Sequence, residues 1–118
     1  MNNTKTPINI HSSYHAHIYF NEDSKRLAKR LCDASSDRFK LKVGQFHEKL
    51  VGPHPCWSCQ ISFGADDFDR YLTWLDVHRQ ELTVLIHAVT GDDIKDHTEF
   101  VYWLGQGVEL DVSVFEHL

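Results

Sequence analysis

The run Tyr14-His15-Ala16-His17-Ile18-Tyr19-Phe20 sets a histidine at every second position of a short β-branched and aromatic stretch. In a strand successive side chains point to opposite faces, so His15, His17 and Tyr19 share one face while Tyr14, Ala16, Ile18 and Phe20 share the other. One face is suited to a core and the other to chemistry. Imidazoles two residues apart on a strand stand roughly 6 to 7 Å apart at Cα, close enough to lean onto a single metal ion. Solvent-facing strand histidines give the same pattern, so the pair gains meaning only if further histidines join it.

Nine histidines in 118 residues are the one compositional excess. The length predicts a single domain spanning residues 1–118, with residues 1–12 as a loose polar arm carrying Pro7. A net charge of −5, with no basic cluster beyond Lys25, Arg26, Lys29 and Arg30, argues against nucleic acid or an anionic membrane as partner. A small molecule is the expected partner. No apolar run reaches the roughly 18 residues of a spanning helix, and Met1 to Pro7 lack the apolar core of a signal peptide, so a cytoplasmic location is expected. Three cysteines do not make a disulfide framework.

The elements that must position the histidines follow from periodicity. The first strand covers about 13 to 20. Asn21 to Ser24 supply N-cap candidates for a helix carrying Leu27, Ala28 and Leu31 to about Ala34, with the basic cluster on its wet side. Phe39 to Val43 alternate as a second strand, and Gln45 to Pro55 form a loop closed by Gly52-Pro53-His54-Pro55. Cys56 to Phe63 read as the third strand. Gly64 to Asp67 then cap a helix with Phe68, Tyr71, Leu72 and Leu75 on one face, and Thr83 to Val89 form the fourth strand.

Strand, helix, strand, strand, helix, strand is the order of an α+β ferredoxin-like sandwich, an antiparallel sheet with both helices on one face. If the apolar faces meet the helices, His15, His17, Gln60 and His87 all project from the uncovered face. The first and fourth strands are expected as neighbours at the centre and edge of the sheet. Beyond them, Ile94, His97, Val101 and Leu104 suggest a third helix stopped at Gly105, and Leu110, Val112 and Val114 suggest a fifth strand from Glu109 to Glu116. This added helix and strand would partly roof the open face or make a dimer contact.

Four motifs stand out: Tyr14-His-Ala-His-Ile-Tyr-Phe20, Gly52-Pro-His-Pro55, Leu85-Ile-His-Ala88, and Thr90-Gly-Asp-Asp-Ile-Lys-Asp-His97, the last leading to Trp103-Leu104-Gly105. As a set, over residues 14 to 105, they resemble the DOPA 4,5-dioxygenase family, small extradiol-type enzymes with bacterial dioxygenase-like members. One departure is Ala88, where the family carries proline after the histidine. The resemblance implies opening of a catechol ring by dioxygen at a non-haem metal, usually ferrous iron, with zinc able to occupy the site in purified protein. Such chemistry needs a divalent ion that binds both catechol oxygens and holds dioxygen beside the ring.

No carboxylate falls at an obvious strand position on the open face, which favours His15, His17 and His87 as the metal ligands. Glu48, Asp96 and His47 are further candidates. His54, held between two prolines, and His97 are the candidate catalytic acid or base groups. An ordinary loop histidine and a buried helix histidine are their structural counterparts. His11, His78 and His117 have nothing to recommend them. Cys56-Trp-Ser-Cys59 matches C-x-x-C, but it enters a strand rather than a helix N-terminus, and a structural zinc would want a second pair. Lys40 and Lys42 fall on the expected open face, as solvated charge or as an anchor for a substrate carboxylate. A non-catalytic, dimeric small-molecule-binding module of the same fold is the competing expectation, and a homodimer is expected on either reading.

Overall fold

The computed structural model describes residues 5–115. Strands β1 (Ser13–Phe20), β2 (Lys42–His47), β3 (Trp57–Gly64), β4 (Val84–Ala88) and β5 (Val101–Leu104) alternate with helices α1 (Lys25–Phe39), α2 (Ala65–His78) and the single turn α3 (Asp93–Asp96). Among the described residues the strands form one sheet in the order β2-β3-β1-β4-β5, with every neighbouring pair antiparallel. This is the expected ferredoxin-like order, extended by β5. The extension makes β4 an interior strand rather than the edge.

The alternation of β1 sorts its side chains as its sequence demands. Tyr14, Ala16, Ile18 and Phe20 are buried with Leu31, Cys32 and Phe39 of α1, and with Phe68, Tyr71 and Leu75 of α2. Burial of such apolar side chains, about 1.5 to 3 kcal/mol for each large one, fixes the register of the sheet. A one-residue slip would turn His15 and His17 into the core.

Three expected boundaries are corrected. Helix α1 runs to Phe39 instead of stopping near Ala34, because Ser35 is buried and its hydroxyl meets Leu31 O at 2.8 Å and Tyr71 Oη at 2.7 Å. Lys40 ends it in the left-handed region at φ 58°, which moves β2 on to Lys42. The expected third helix lasts only from Asp93 to Asp96, and Val101 to Leu104 pair with β4 instead. There Ile94 is exposed while Val101 and Leu104 are buried, so the four residues share no face. Gly105 ends a strand rather than a helix, at φ +84°, where a Cβ would meet the Arg79 guanidinium at 2.7 Å.

The expected strand from Glu109 is absent over its described residues, Glu116 lying outside them. Val112–Phe115 is a 3-10 turn. The outer side of β5 is already engaged, since Trp103 N donates to Lys5 O at 2.8 Å, and the tail crosses the open face of the sheet. Asp111 N ties it to Pro53 O at 2.9 Å. Residues 5–12 have no regular secondary structure, yet Asn9 donates to Ala65 O and Tyr14 Oη donates to Ile8 O.

Candidate metal centre

The site is built by cross-strand pairing. His15 stands opposite His87 on β4 and opposite Ser62 on β3, while His17 stands opposite Leu85 and Gln60. Directly paired residues of antiparallel strands share a face, so two histidines of β1 and one of β4 converge. Their candidate ligand nitrogens all lie within 4.8 Å of one another. Among the described residues this is the group whose spacing could hold a metal ion.

Two loops complete the cavity of about 280 Å³, which His15, His17, His54, His87, His97 and Phe115 line together with Gln60, Pro53 and Val89. The Pro53-His54-Pro55 segment brings the His54 ring to 4.1 Å from that of His17. His54 Nδ1 meets Tyr19 Oη at 2.8 Å, a partner on the same face of β1 as His15 and His17. The turn after α3 brings the His97 ring to 4.3 Å from that of His87, and Phe115 of the tail closes over it at 4.6 Å. His97 therefore reaches the site from the end of a single turn, not from an apolar helix stripe.

Hydrogen bonds fix which ring nitrogens are free. His87 Nδ1 lies 2.8 Å from Ala88 O, and a carbonyl only accepts, so Nδ1 carries the proton and Nε2 keeps its lone pair. That lone pair faces the site, 2.9 Å from His17 Nε2. His97 Nδ1 likewise donates to Asp93 O at 2.8 Å, leaving its Nε2 as an acceptor. A backbone carbonyl holding one ring nitrogen is the usual support for a metal-binding imidazole.

Burial keeps the cluster neutral. His17 is held well below the ordinary histidine range by desolvation, reinforced by repulsion from His54, His87, His15 and His97. Desolvation brings His87 down to about 3 against the opposing pull of the Ala88 carbonyl. His54 is lowered to about 4 by burial and then by His97 and His47. His15 is lowered by burial and by His97, with Asp96 acting the other way. Burial raises the Tyr19 phenol, which stays protonated. Neutral imidazoles gathered in one pocket are what a divalent cation requires of its ligands.

The carboxylate candidates fare differently. Glu48 is exposed and pairs with Lys25 of α1. Asp96 lines the cavity, but its two oxygens accept from Thr90 N at 2.8 Å and Thr90 Oγ1 at 2.6 Å. The donor set that fits is three neutral imidazoles. His47, on β2 opposite Ser58, is near enough to His54 to oppose its protonation. His11 bonds Tyr102 Oη and His78 bonds Trp74 O, neither in this cavity, and His117 lies outside the described residues.

The C-x-x-C pair is divided by the sheet. Cys59 is buried in the helix-side core together with Cys32, whereas Cys56 packs against Tyr19, Leu85, Val101 and Trp103 on the other face. All three thiols are free. The residue that sequence reasoning left without a role is Tyr19. Its place beside His15 and His17 was readable, but its bond to His54 depends on the loop.

The model of the Dopa 4,5-dioxygenase family matches residues 14–114. The chain belongs to that family. It is 28% identical over 109 residues to a DOPA 4,5-dioxygenase of Amanita muscaria, covering 85% of this chain and 48% of that protein. It is also 28% identical over 121 residues to an uncharacterized 21.2 kDa protein of Botryotinia fuckeliana, covering 92% of this chain and 66% of the other. The chain thus spans half to two thirds of these curated relatives. A crystal structure from Nostoc punctiforme, described provisionally as a dioxygenase, superposes with a TM-score of 0.85 at 33% identity, covering 89% of this chain and 91% of that one. Among the described residues no helix is long and apolar enough to cross a membrane.

Proposed function

We propose that this chain opens the ring of a catechol with dioxygen, at a divalent metal held by His15, His17 and His87. The observation that carries the reading is the cluster of uncharged imidazoles whose nitrogens lie within 4.8 Å of one another, with the His87 Nδ1 proton committed to Ala88 O. Ferrous iron suits both the donor set and the family, and the same three imidazoles are able to take zinc in purified protein. Such an ion, when bound, acidifies the catechol hydroxyls and supplies the redox chemistry of dioxygen.

The protein's own groups have distinct parts. Three protein ligands leave coordination positions open, which a catechol and dioxygen need together. His54 is neutral at physiological pH, and its ring lies against His17, so it takes a proton from a hydroxyl entering the site. With His54 Nδ1–H donating to Tyr19 Oη, Nε2 keeps its lone pair for the substrate proton. His97, its Nδ1 proton given to Asp93 O, offers a second acceptor on the far side of His87. Pro53, Val89 and Phe115 supply apolar walls, and a cavity just under the roughly 300 Å³ of drug-sized pockets suits a single-ring substrate.

The test is to load the protein anaerobically with ferrous iron, add DOPA or caffeate, and admit oxygen. Oxygen uptake matched to a yellow ring-opened product is the expected outcome. Iron-loaded protein that consumes no oxygen with any of a panel of catechols overturns the reading.

A further inference from the structure

One row of side chains crosses the open face of the sheet. Lys42 on β2 is paired with Ser62, Ser62 with His15, and His15 with His87, so all four point to the same side. Strands lie about 4.8 Å apart, which sets Lys42 Cα about 10 Å from His15 Cα, a span its four-methylene side chain largely covers. Lys42 is exposed, and among the described residues no carboxylate pairs with it. Its charge is nonetheless felt at His15, where it opposes protonation of the ring. Lys40, the other cation once expected on this face, is instead the residue that ends α1.

The rest of the site is polarised around that row. Beyond His87, on the side away from Lys42, the carboxylates Asp93 and Asp96 line the cavity. Toward β5 the face is apolar, with Leu85, Val101 and Trp103 packed against Leu110 of the tail. Toward β2 it is polar, with Gln60 and Ser62 half-buried between the histidines and the lysine. From the histidines, the direction over β3 past Gln60 and Ser62 is polar and ends at the exposed Lys42.

We propose that Lys42 receives a carboxylate on the substrate's side chain, which makes the substrates anionic catechols of the arylcarboxylate class. The proposal rests on the ring-cleavage reading for its catechol and on the row of paired residues for its anion. A neutral or cationic side chain gains nothing from the lysine. Lysine on an edge strand also deters edge-to-edge pairing, a role that any charged residue fills. Lys42→Glu keeps that role and reverses the charge.

The experiment compares wild type, Lys42→Gln and Lys42→Glu in two readouts. Calorimetry on the zinc-loaded protein, which cannot turn over, gives the affinities for 3-(3,4-dihydroxyphenyl)propanoate, 4-methylcatechol, dopamine and DOPA. Kinetics on the iron-loaded protein give kcat/KM for the same compounds. The expected wild-type preference for the propanoate over 4-methylcatechol is about tenfold in both readouts, the size of one charge-assisted hydrogen bond. Lys42→Gln is expected to remove the preference and Lys42→Glu to turn it toward dopamine. Equal affinities in wild type, a preference that survives in both variants, or binding of none of the four overturns the anion site. Lys42-dependent binding without turnover would overturn ring cleavage and leave the anion site standing.

Discussion

His17 Nε2 and His87 Nε2 lie 2.9 Å apart in a pocket where both rings are held neutral, and the His87 nitrogen presents a lone pair. Without a cation, His17 satisfies that lone pair only by keeping its own proton on Nε2. With one, the proton must move to Nδ1 or leave, so the contact is a site that trades a hydrogen bond for a metal. His17→Ala is therefore expected to lower metal affinity by about 10² or more while the protein stays folded, since the side chain lies opposite the helix-side core. Metal content after equilibration with zinc or ferrous iron measures this. Full occupancy in the variant would remove His17 from the ligand set.

Tyr19 is a positioning residue in this scheme, and its effect is separable from that of His54. Replacing His54 by alanine is expected to slow the chemical step by about 10² to 10⁴, the usual worth of a positioned proton-transfer group, with little change in bound metal. Tyr19→Phe keeps the ring packed among Leu85, Val101 and Trp103 but frees the His54 ring. A smaller loss in kcat, with the acid limb of the pH profile displaced, is the expected result. An unchanged profile at full activity would leave Tyr19 as packing alone.

How far the sequence reveals this site depends on which contact does the positioning. His15, His17 and His87 are readable because strand alternation and the helix-side core decide which face each occupies, and their nitrogens are spaced so that they could hold a metal ion. The order of the sheet is readable because both long helices carry unmistakable apolar faces. Val101 to Leu104 are misread because their spacing from Ile94 and His97 fits a helix repeat, and pairing with β4 outweighs that local pattern. Ser35 and Ser36 look like a helix end because one of the two bonds that let Ser35 be buried, the one to Tyr71, comes from far along the chain. The Tyr19–His54 bond is set by a proline-flanked loop whose path no periodicity encodes.

The cysteines give a contrasting prediction. Cys56 and Cys59 lie on opposite faces, so they do not act together, and Cys59 is a small buried apolar residue of the core. The double change Cys56→Ser, Cys59→Ala is expected to lower stability by about 1 to 2 kcal/mol through the lost buried sulfur. Turnover per folded molecule should stay within about threefold of wild type, as for changes away from the reacting atoms. Thermal unfolding and active-site-normalised rates measure both. Loss of activity with fold and metal intact would restore a role for the thiols.

The last prediction concerns acid. His87 and His54 have folded values near 3 and 4, and His17 and His15 are lowered too, against an ordinary histidine value of about 6.5. Between those limits the unfolded chain takes up protons that the folded chain refuses, so folding stability rises with pH up to about 6.5 and is level above it as far as these groups are concerned. Each such histidine contributes a slope of about 1.4 kcal/mol per pH unit within its window. Metal-free protein is therefore expected to lose denaturant resistance steadily from pH 6.5 down toward pH 4. The metal-loaded protein, whose ligands must stay deprotonated, should release its ion over the same range. Urea midpoints of the metal-free protein at half-unit steps from pH 4.5 to 8 measure the slope, and His17→Ala should flatten it by removing one of the buried imidazoles. A wild-type midpoint that holds constant from pH 7 to 5 would mean that these rings take up protons in the folded protein as readily as in the unfolded chain, which is incompatible with three buried ligands held neutral for a cation.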